Sequence, residues 1–210
     1  MYNIPYFKAD SQQEVLDFMH NNPFIILTGC DAQHKPVATH IPVLIEEREG
    51  NIFLIGHMMT QTDHHKAFII NKNALAIFTG PHAYVSASWY TNKKQASTWN
   101  YLTVHAKGLL KFLGEDDLIK VLHTTTAHFE NNPASPSLVP HLEEDYVQRL
   151  MKAIVAFEIE VTEVDHVFKL SQNRDEESYQ SIISNLKQGD EGAVQIAEVM
   201  KKRNQEKIKN

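Results

Sequence analysis

Apolar and polar positions alternate along several short stretches of the chain, a pattern typical of antiparallel strands. Turn residues or glycines separate these stretches. Strands are predicted at residues 24–30, 37–45, 52–57, 74–79, 98–113 and 154–161, with a short continuation at residues 84–85 beyond a break at Gly80-Pro81. We expect Gly108 to mark a bulge or bend in its long strand. Six or seven strands joined mostly by short turns favour an antiparallel barrel over a parallel sheet.

Other segments change to a helical period. Ser11 followed by Glu14 is a capping-box pattern, which predicts a helix over residues 11–21 that Pro23 ends. Further helices are predicted at residues 62–71, 115–129, 143–151, 176–188 and 191–204. The predicted fold class is β-rich α+β, an antiparallel β-barrel with peripheral helices. We expect the barrel domain over residues 1–165 and a C-terminal helical extension over residues 166–210, packed on the barrel or on a dimer partner.

Charge and composition narrow the function classes. The formal net charge of -6 gives no support to DNA binding, because phosphate neutralisation supplies most of that affinity. The single cysteine, Cys30, excludes an internal disulfide and a thiolate zinc site. The N-terminus lacks a signal-peptide pattern, and no apolar run reaches the roughly 18 residues of a membrane span, so we expect a cytoplasmic protein without membrane contact.

Several well-known motifs are absent. The chain has no Gly-x-Gly-x-x-Gly motif, which argues against a Rossmann dinucleotide site, and no P-loop for a nucleoside triphosphate. It also has no Gly-x-Ser-x-Gly elbow, which argues against a serine hydrolase of that type. Its 12 histidines include no His-Glu-x-x-His pair. We therefore expect no metal site.

Residues 60–66, TQTDHHK, follow a predicted strand and open a predicted helix. Amides at a helix start, the hydroxyls of Thr60 and Thr62 and the ammonium of Lys66 are groups that can hold a phosphate. The same pattern also suits an ordinary N-cap with a solvated lysine.

Two aromatic stretches, GPHAYVSASWY at residues 80–90 and TWNY at residues 98–101, contain both tryptophans. Planar rings beside amide and hydroxyl groups suit a flat heteroaromatic ligand. Aromatic residues of a core or a dimer interface are the alternative.

Two basic segments leave alternatives open. Residues 169–174, KLSQNR, suit contact with a phosphate or a partner, or a turn that anchors the C-terminal extension. Lys201-Lys202-Arg203, with Lys207 and Lys209, suits interaction with the helix dipole; a DNA contact is the alternative.

Four segments together resemble the PaiB family: residues 38–42 (ATHIP), 80–90, 98–108 (TWNYLTVHAKG) and 169–174. The resemblance covers about residues 2–200. The family comprises negative transcriptional regulators of degradative-enzyme production and sporulation in bacilli. The resemblance therefore implies an FMN-binding split barrel, a homodimer with FMN at the subunit interface, and a DNA or regulatory protein partner.

The wider split-barrel fold also implies site residues. Thr39, His40 and Ile41 would line the flavin ring, and either Asn100 or Tyr101 would reach it from a later strand. The ribityl phosphate would lie against His57, Thr60 and Lys66. His65 stands where the family usually has a tryptophan, and Ala87 where a proline is common. Because His65 adjoins the phosphate residues, we expect FMN to bind weakly or to be lost on purification.

Two other functions remain open. An FMN-dependent oxidoreductase or flavin reductase would use the cofactor for redox chemistry, although no residue is assigned as catalytic and His40, His57 and His105 are proton donors by location alone. A haem-binding split-barrel protein would use His57 or His64 as an axial ligand.

Overall fold

One seven-stranded sheet is the main feature of this computed structural model, which describes the backbone of residues 1–209 and the side chains of residues 1–205. The order of the strands is β2-β1-β5-β6-β7-β4-β3, and every strand pair with a recorded register is antiparallel. The predicted fold class is confirmed. The strands are β1 Phe24–Cys30, β2 Pro36–Pro42, β3 Leu44–Arg48, β4 Asn51–Met59, β5 Asn73–Val85, β6 Thr98–Phe112 and β7 Ile154–Lys169.

All the predicted helices are present. The α-helices of the described chain are α1 Gln12–Asn21, α2 Asp63–Ile70, α3 Glu115–Glu130, α4 Glu144–Met151, α5 Glu176–Leu186 and α6 Glu191–Lys209. The capping prediction holds for α1, since Ser11 Oγ accepts a hydrogen bond from the Glu14 amide at 3.1 Å. Within the described residues, none of these helices is both long enough and apolar enough to span a membrane.

The prediction of a single strand over residues 37–45 is wrong. The segment forms β2 and β3, which lie at opposite edges of the sheet and are separated in sequence by Val43 alone. Pro42 has no amide hydrogen to continue a ladder, and the Val43 amide donates to the carbonyl of Pro23 at 2.9 Å. The chain therefore leaves one strand and begins another at this point.

The predicted break at Gly80-Pro81 is also wrong, because β5 runs through both residues. Gly80 makes room there for a ring: a Cβ at this position would lie 2.6 Å from Phe18 Cε2. The glycine is thus explained by close packing rather than by a turn. Strand β7 likewise continues eight residues beyond its predicted end at Val161, as far as Lys169.

Two compact units make up the chain, and neither is continuous in sequence. Unit 1 contains residues 1–18, 79–104 and 165–210, and unit 2 contains residues 19–78 and 105–164. The expected C-terminal extension lies within unit 1. The boundary expected at residue 165 stays a prediction.

In unit 2, strands and helices enclose a core of aliphatic and aromatic side chains. The α3 residues Leu118 and Val121 pack in one cluster with Ile55 of β4 and Ala156 of β7. Gly108 permits a close approach between β6 and β7, since a Cβ there would lie 2.2 Å from the Glu160 carbonyl oxygen.

In unit 1, the C-terminal helices are tied to the rest of the unit by buried polar contacts. The hydroxyl of Tyr179 on α5 donates to the carbonyl of Met200 on α6 at 3.0 Å, and burial raises the pKa of Tyr179 to about 12. The guanidinium of Arg203 on α6 binds both carboxylate oxygens of Glu14 at 2.7 Å. These contacts make α5 and α6 part of the packed unit.

Candidate functional site

The junction between β4 and α2 carries most of the residues predicted to hold a phosphate. Gln61 has a left-handed backbone with φ of 66°, and Thr62 caps α2. The Thr62 hydroxyl donates to the Met59 carbonyl at 3.1 Å, and the Thr60 hydroxyl donates to the Ala153 carbonyl at 3.2 Å. Both hydroxyls therefore already bond to the chain's own backbone.

Asp63 introduces a negative charge at the same junction, a feature that the sequence interpretation missed. Its Oδ1 accepts a hydrogen bond from the His64 amide at 2.8 Å and lies 3.1 Å from His64 Nδ1. These hydrogen bonds hold the pKa of Asp63 below its ordinary range. The carboxylate therefore stays charged at the helix start, where the helix dipole also favours an anion.

Lys66 is the predicted phosphate ligand that remains available. Its side chain is exposed, and no carboxylate pairs with it among the described residues. Lys66 lies on the first turn of α2, so its ammonium can move over the helix start. The amides of His64 and His65 already bind Asp63 Oδ1 and Thr62 Oγ1. The junction therefore offers an anion the ammonium of Lys66, against the opposing charge of Asp63.

His57 differs from the neighbouring histidines in keeping an unengaged ring. It is half-buried on β4 opposite Ala156, and burial lowers its pKa, so the imidazole is neutral near pH 7. By contrast, the ring nitrogens of His64 contact Asp63 Oδ1 at 3.1 Å and Thr62 Oγ1 at 3.0 Å. Among the described residues no partner of the His57 ring is recorded, which leaves its nitrogens for a ligand.

The three β2 residues predicted to line a flavin lie on two faces of the strand. Ile41 is buried and Thr39 lies on the same face, whereas His40 is exposed, with its ring 6.2 Å from that of Phe24. Successive side chains of a strand point to opposite faces. A single flat ring would therefore contact the side chains of one face only, which are either Thr39 and Ile41 or His40.

The two β6 candidates also point to opposite faces. Asn100 is fully buried; its Nδ2 lies 3.5 Å from Met200 Sδ, and its Oδ1 accepts a hydrogen bond from Ser171 at 3.0 Å. Tyr101 is half-exposed, and burial followed by the nearby Tyr2 raises its pKa. Of the pair, Tyr101 has the side chain that can reach a ligand.

The basic segments are largely engaged by the fold. Lys169 donates a hydrogen bond to Thr98, and the guanidinium of Arg174 lies 4.1 Å from the ring centroid of Tyr90. Arg203 is buried against Glu14, which removes it from any DNA-contacting surface. The side chains of Lys207 and Lys209 lie outside the described residues.

The aromatic stretches at residues 80–90 and 98–101 border a cleft in unit 1, which we call the aromatic cleft. Its volume is about 510 Å³. Both tryptophans line it, together with residues of the α5–α6 connection. The lining residues are His82, Ala83, Tyr84, Trp89, Trp99, Asn185, Leu186, Gln188, Gly189, Asp190 and Ala193. Over the described chain, no cluster of three histidine, cysteine or acidic residues is arranged to hold a metal ion.

The antiparallel sheet with its helical extension defines a protein of the split-barrel class. The flavocytochrome Anf3 from Azotobacter vinelandii matches with a TM-score of 0.58 and 14% identity, over 86% of this chain and 78% of that chain. The FAD and haem binding protein from Mycobacterium smegmatis matches with a TM-score of 0.54 and 16% identity, over 77% of this chain and 72% of that chain. At these identities the likeness shows the fold alone.

Sequence comparison identifies the family. Residues 1–163 match the family model described as "Putative FMN-binding domain". The protease synthase and sporulation protein PAI 2 of Bacillus subtilis (strain 168) is 33% identical over 201 residues, which cover 95% of this chain and 96% of that protein. The chain therefore belongs to the PaiB family, as its motifs predicted.

Proposed function

We propose that this chain binds FMN and acts in the cytoplasm as a PaiB-like negative regulator of degradative-enzyme production and sporulation. The observation that carries the cofactor proposal is the match of residues 1–163 to an FMN-binding family model. The unpaired ammonium of Lys66 at the start of α2 supports it, because a helix start with a free cation suits a phosphate. When bound, FMN supplies the redox chemistry, and this chain's residues bind and orient it.

FMN and riboflavin form a matched pair of probes, because they differ only in the phosphate. Quenching of flavin fluorescence during titration of the purified protein gives both affinities. We expect FMN to bind more tightly, and Lys66→Ala to lower FMN affinity at least about five-fold without changing riboflavin affinity. Lys72→Ala, an exposed lysine beyond α2, is the control. Equal binding of the two flavins would contradict the phosphate assignment, and an NAD(P)H oxidation assay of the FMN complex tests the reductase alternative.

We also propose a homodimer, with FMN at the interface between the subunits. The face of β1 that points away from the core carries Ile26, which pairs with His40 of β2 on one side and Ile77 of β5 on the other. Phe24, on the same face, is 61% exposed. Ile26, Ile77 and Phe24 together form an apolar patch on this sheet face, which suits a second copy of the chain.

Sedimentation equilibrium tests the dimer. We expect the mass of two chains, and of one chain for Ile77→Lys, because a charge in an apolar interface is left without a partner. Leu150→Lys changes an exposed apolar residue on α4 and serves as the control that stays dimeric. A monomeric parent protein would overturn the proposal.

The regulatory role is supported by the likeness to PAI 2 over nearly the whole chain. It can be tested by producing this chain in Bacillus subtilis (strain 168) cells that lack PAI 2. We expect secreted protease activity and spore number to fall relative to cells with an empty vector. Comparison with Lys66→Ala shows whether FMN takes part, and unchanged protease and spore counts would contradict the role.

Haem binding is the second candidate, favoured by the half-buried, neutral ring of His57. An unprotonated imidazole with a free nitrogen is the form that ligates iron. Titration with haemin is expected to give a Soret band that His57→Ala abolishes and His64→Ala preserves. A band that survives His57→Ala would rule out this ligand.

A further inference from the structure

We infer that the aromatic cleft of unit 1 binds a small aromatic cation, a ligand distinct from the flavin proposed above. None of the residues proposed to bind FMN lines this cleft. Its volume of about 510 Å³ lies in the range of small-molecule sites. Its rings, its polar atoms and its charge point to the same class of ligand.

Three aromatic rings of the cleft lining lie close together. The Trp99 ring centroid lies 5.9 Å from that of Tyr84, with 71° between the ring planes, and 6.0 Å from that of His82. Tyr84 is 49% exposed and Trp99 is 53% exposed. Faces of indole and phenol rings attract cations and stack on flat rings.

Two amide side chains at the end of α5 and just beyond it line the cleft. Asn185 Nδ2 donates to the Ser181 carbonyl at 2.8 Å, and Gln188 Nε2 donates to the Ser184 carbonyl at 3.4 Å. Because a main-chain carbonyl can only accept, the amide nitrogens must face the helix. The amide oxygens of Asn185 and Gln188 are therefore left to accept hydrogen bonds.

Asp190 adds a fixed negative charge. Its Oδ1 accepts a hydrogen bond from the Ala193 amide at 2.9 Å, which holds the side chain at the start of α6. No partner of Oδ2 is recorded among the described residues, and the lining residues include no lysine or arginine. A ligand that brings both N–H donors and a positive charge complements these groups.

Two glycines allow close packing on the α5–α6 side of the cleft, Gly192 against β5 and Gly189 against α6. A Cβ at Gly192 would lie 2.9 Å from the His82 carbonyl oxygen, and one at Gly189 would lie 2.8 Å from the Ala193 Cβ. The start of α6 can therefore approach β5 closely, which brings Asp190 beside the rings. These residues lie beyond the family match at residues 1–163, so the cleft depends on the C-terminal extension.

Benzamidine, benzamide and benzoate test the inference, since they share one flat shape and carry positive, no and negative charge. The two tryptophans line the cleft, so their two indole N–H signals in nuclear magnetic resonance spectra report its occupancy. We expect benzamidine to shift both signals saturably, benzamide to bind at least about five-fold more weakly, and benzoate to bind weakest. The titrations are made without flavin, so they are independent of the FMN result.

Asp190→Asn isolates the role of charge, because asparagine caps a helix as well as aspartate does. We expect it to weaken benzamidine binding several-fold and to leave benzamide binding unchanged. Asp145→Asn, an exposed acid on α4, is the matched control. Equal affinity for benzamidine and benzamide, preference for benzoate, absence of saturable shifts, or equal weakening of both ligands by Asp190→Asn would each overturn the inference.

Discussion

At the residue scale, two opposite charges share the first turn of α2. Lys66 is exposed and unpaired among the described residues, while the charged Asp63 binds the amide of His64. A phosphate approaching the helix start is attracted by Lys66 and repelled by Asp63. The junction therefore sets its anion affinity by the balance of two side chains only three residues apart.

Asp63→Asn is expected to raise FMN affinity several-fold, because it removes the repulsion and keeps an acceptor for the His64 amide. Since the pKa of Asp63 lies below its ordinary value of 3.8, the carboxylate is charged throughout the neutral range, and the effect does not vary with pH there. Flavin fluorescence titration measures it. Asp116→Asn changes a first-turn acid of α3 and is the control. Lower FMN affinity in Asp63→Asn would contradict the balance.

Gly108→Ala is expected to destabilise the fold by about 3 kcal/mol or more, because the added methyl would overlap the Glu160 carbonyl oxygen at 2.2 Å. Gly114→Ser adds a Cβ at the cap of α3, where nothing lies within 4 Å, and we expect little change there. Urea denaturation of both variants gives the free energies of unfolding. Equal stability of the two variants would show that β6 and β7 separate at low cost.

The sequence predicted Lys66 and Thr62 at a helix start because capping patterns are local. The opposing charge of Asp63 was not predicted, because a capping pattern does not show which side-chain oxygen each backbone amide binds. The sequence also could not separate Asn100 from Tyr101, because the partners of Asn100 lie about 70 and 100 residues away, at Ser171 and Met200. Contacts at that separation depend on the tertiary fold.

At the scale of elements, the ion pair between Arg203 and Glu14 joins α6 to α1. The Arg203 guanidinium is buried, makes two hydrogen bonds of 2.7 Å to the Glu14 carboxylate and lies 5.6 Å from the ring centroid of Phe168. Burial of a charge is costly unless its partner is in place. This pair therefore adds to the contacts that hold α6 in unit 1, beside the hydrogen bond from Tyr179 to Met200.

Arg203→Ala is expected to destabilise unit 1 by about 3 kcal/mol, because it leaves the Glu14 carboxylate without its buried partner. Lys202→Ala changes the exposed neighbour and should cost far less. Chemical denaturation followed by tryptophan fluorescence measures both, since Trp89 and Trp99 belong to unit 1. Equal midpoints for the two variants would show that the ion pair adds no stability.

Most elements were predictable, because alternation and capping are local signals. The predictions are wrong at two places where tertiary packing overrides these local signals. The apolar run at residues 37–45 conceals the break at Val43, whose amide binds a distant carbonyl. Gly80-Pro81 suggests a turn, yet the glycine there accommodates Phe18. In both places the deciding partner is remote in sequence.

At the scale of the whole molecule, three histidines respond to acid in the same direction. Burial is the largest cause that lowers the pKa of His57, His65 and His166 below their ordinary value of 6.5. The His166 ring also accepts a hydrogen bond from the Ala9 amide at 2.9 Å, which protonation of Nε2 would break. The folded state therefore disfavours the protonated form of each ring.

The contribution of these neutral histidines to the free energy of unfolding should be fully present above their ordinary pKa of 6.5. It should be lost as the pH falls through 6.5 toward the lower pKa values of the folded state. The unfolded chain binds protons first in that window, so acid favours unfolding. Urea denaturation at about pH 7.5 and about pH 5.5 measures the loss. His166→Gln keeps an acceptor for the Ala9 amide and should lose less stability on acidification. An identical loss in this variant would exclude His166 as a contributor.

The separation of β2 from β3 by Val43 alone has a consequence for hydrogen exchange. Edge strands of a sheet usually fray independently and exchange their amide protons first. Here the two edge strands are adjacent in sequence, so local unfolding of β2 also displaces the first residues of β3. Amides of Ile41 and Ile45 are therefore expected to exchange at similar rates and to respond alike to a single destabilising change in either strand.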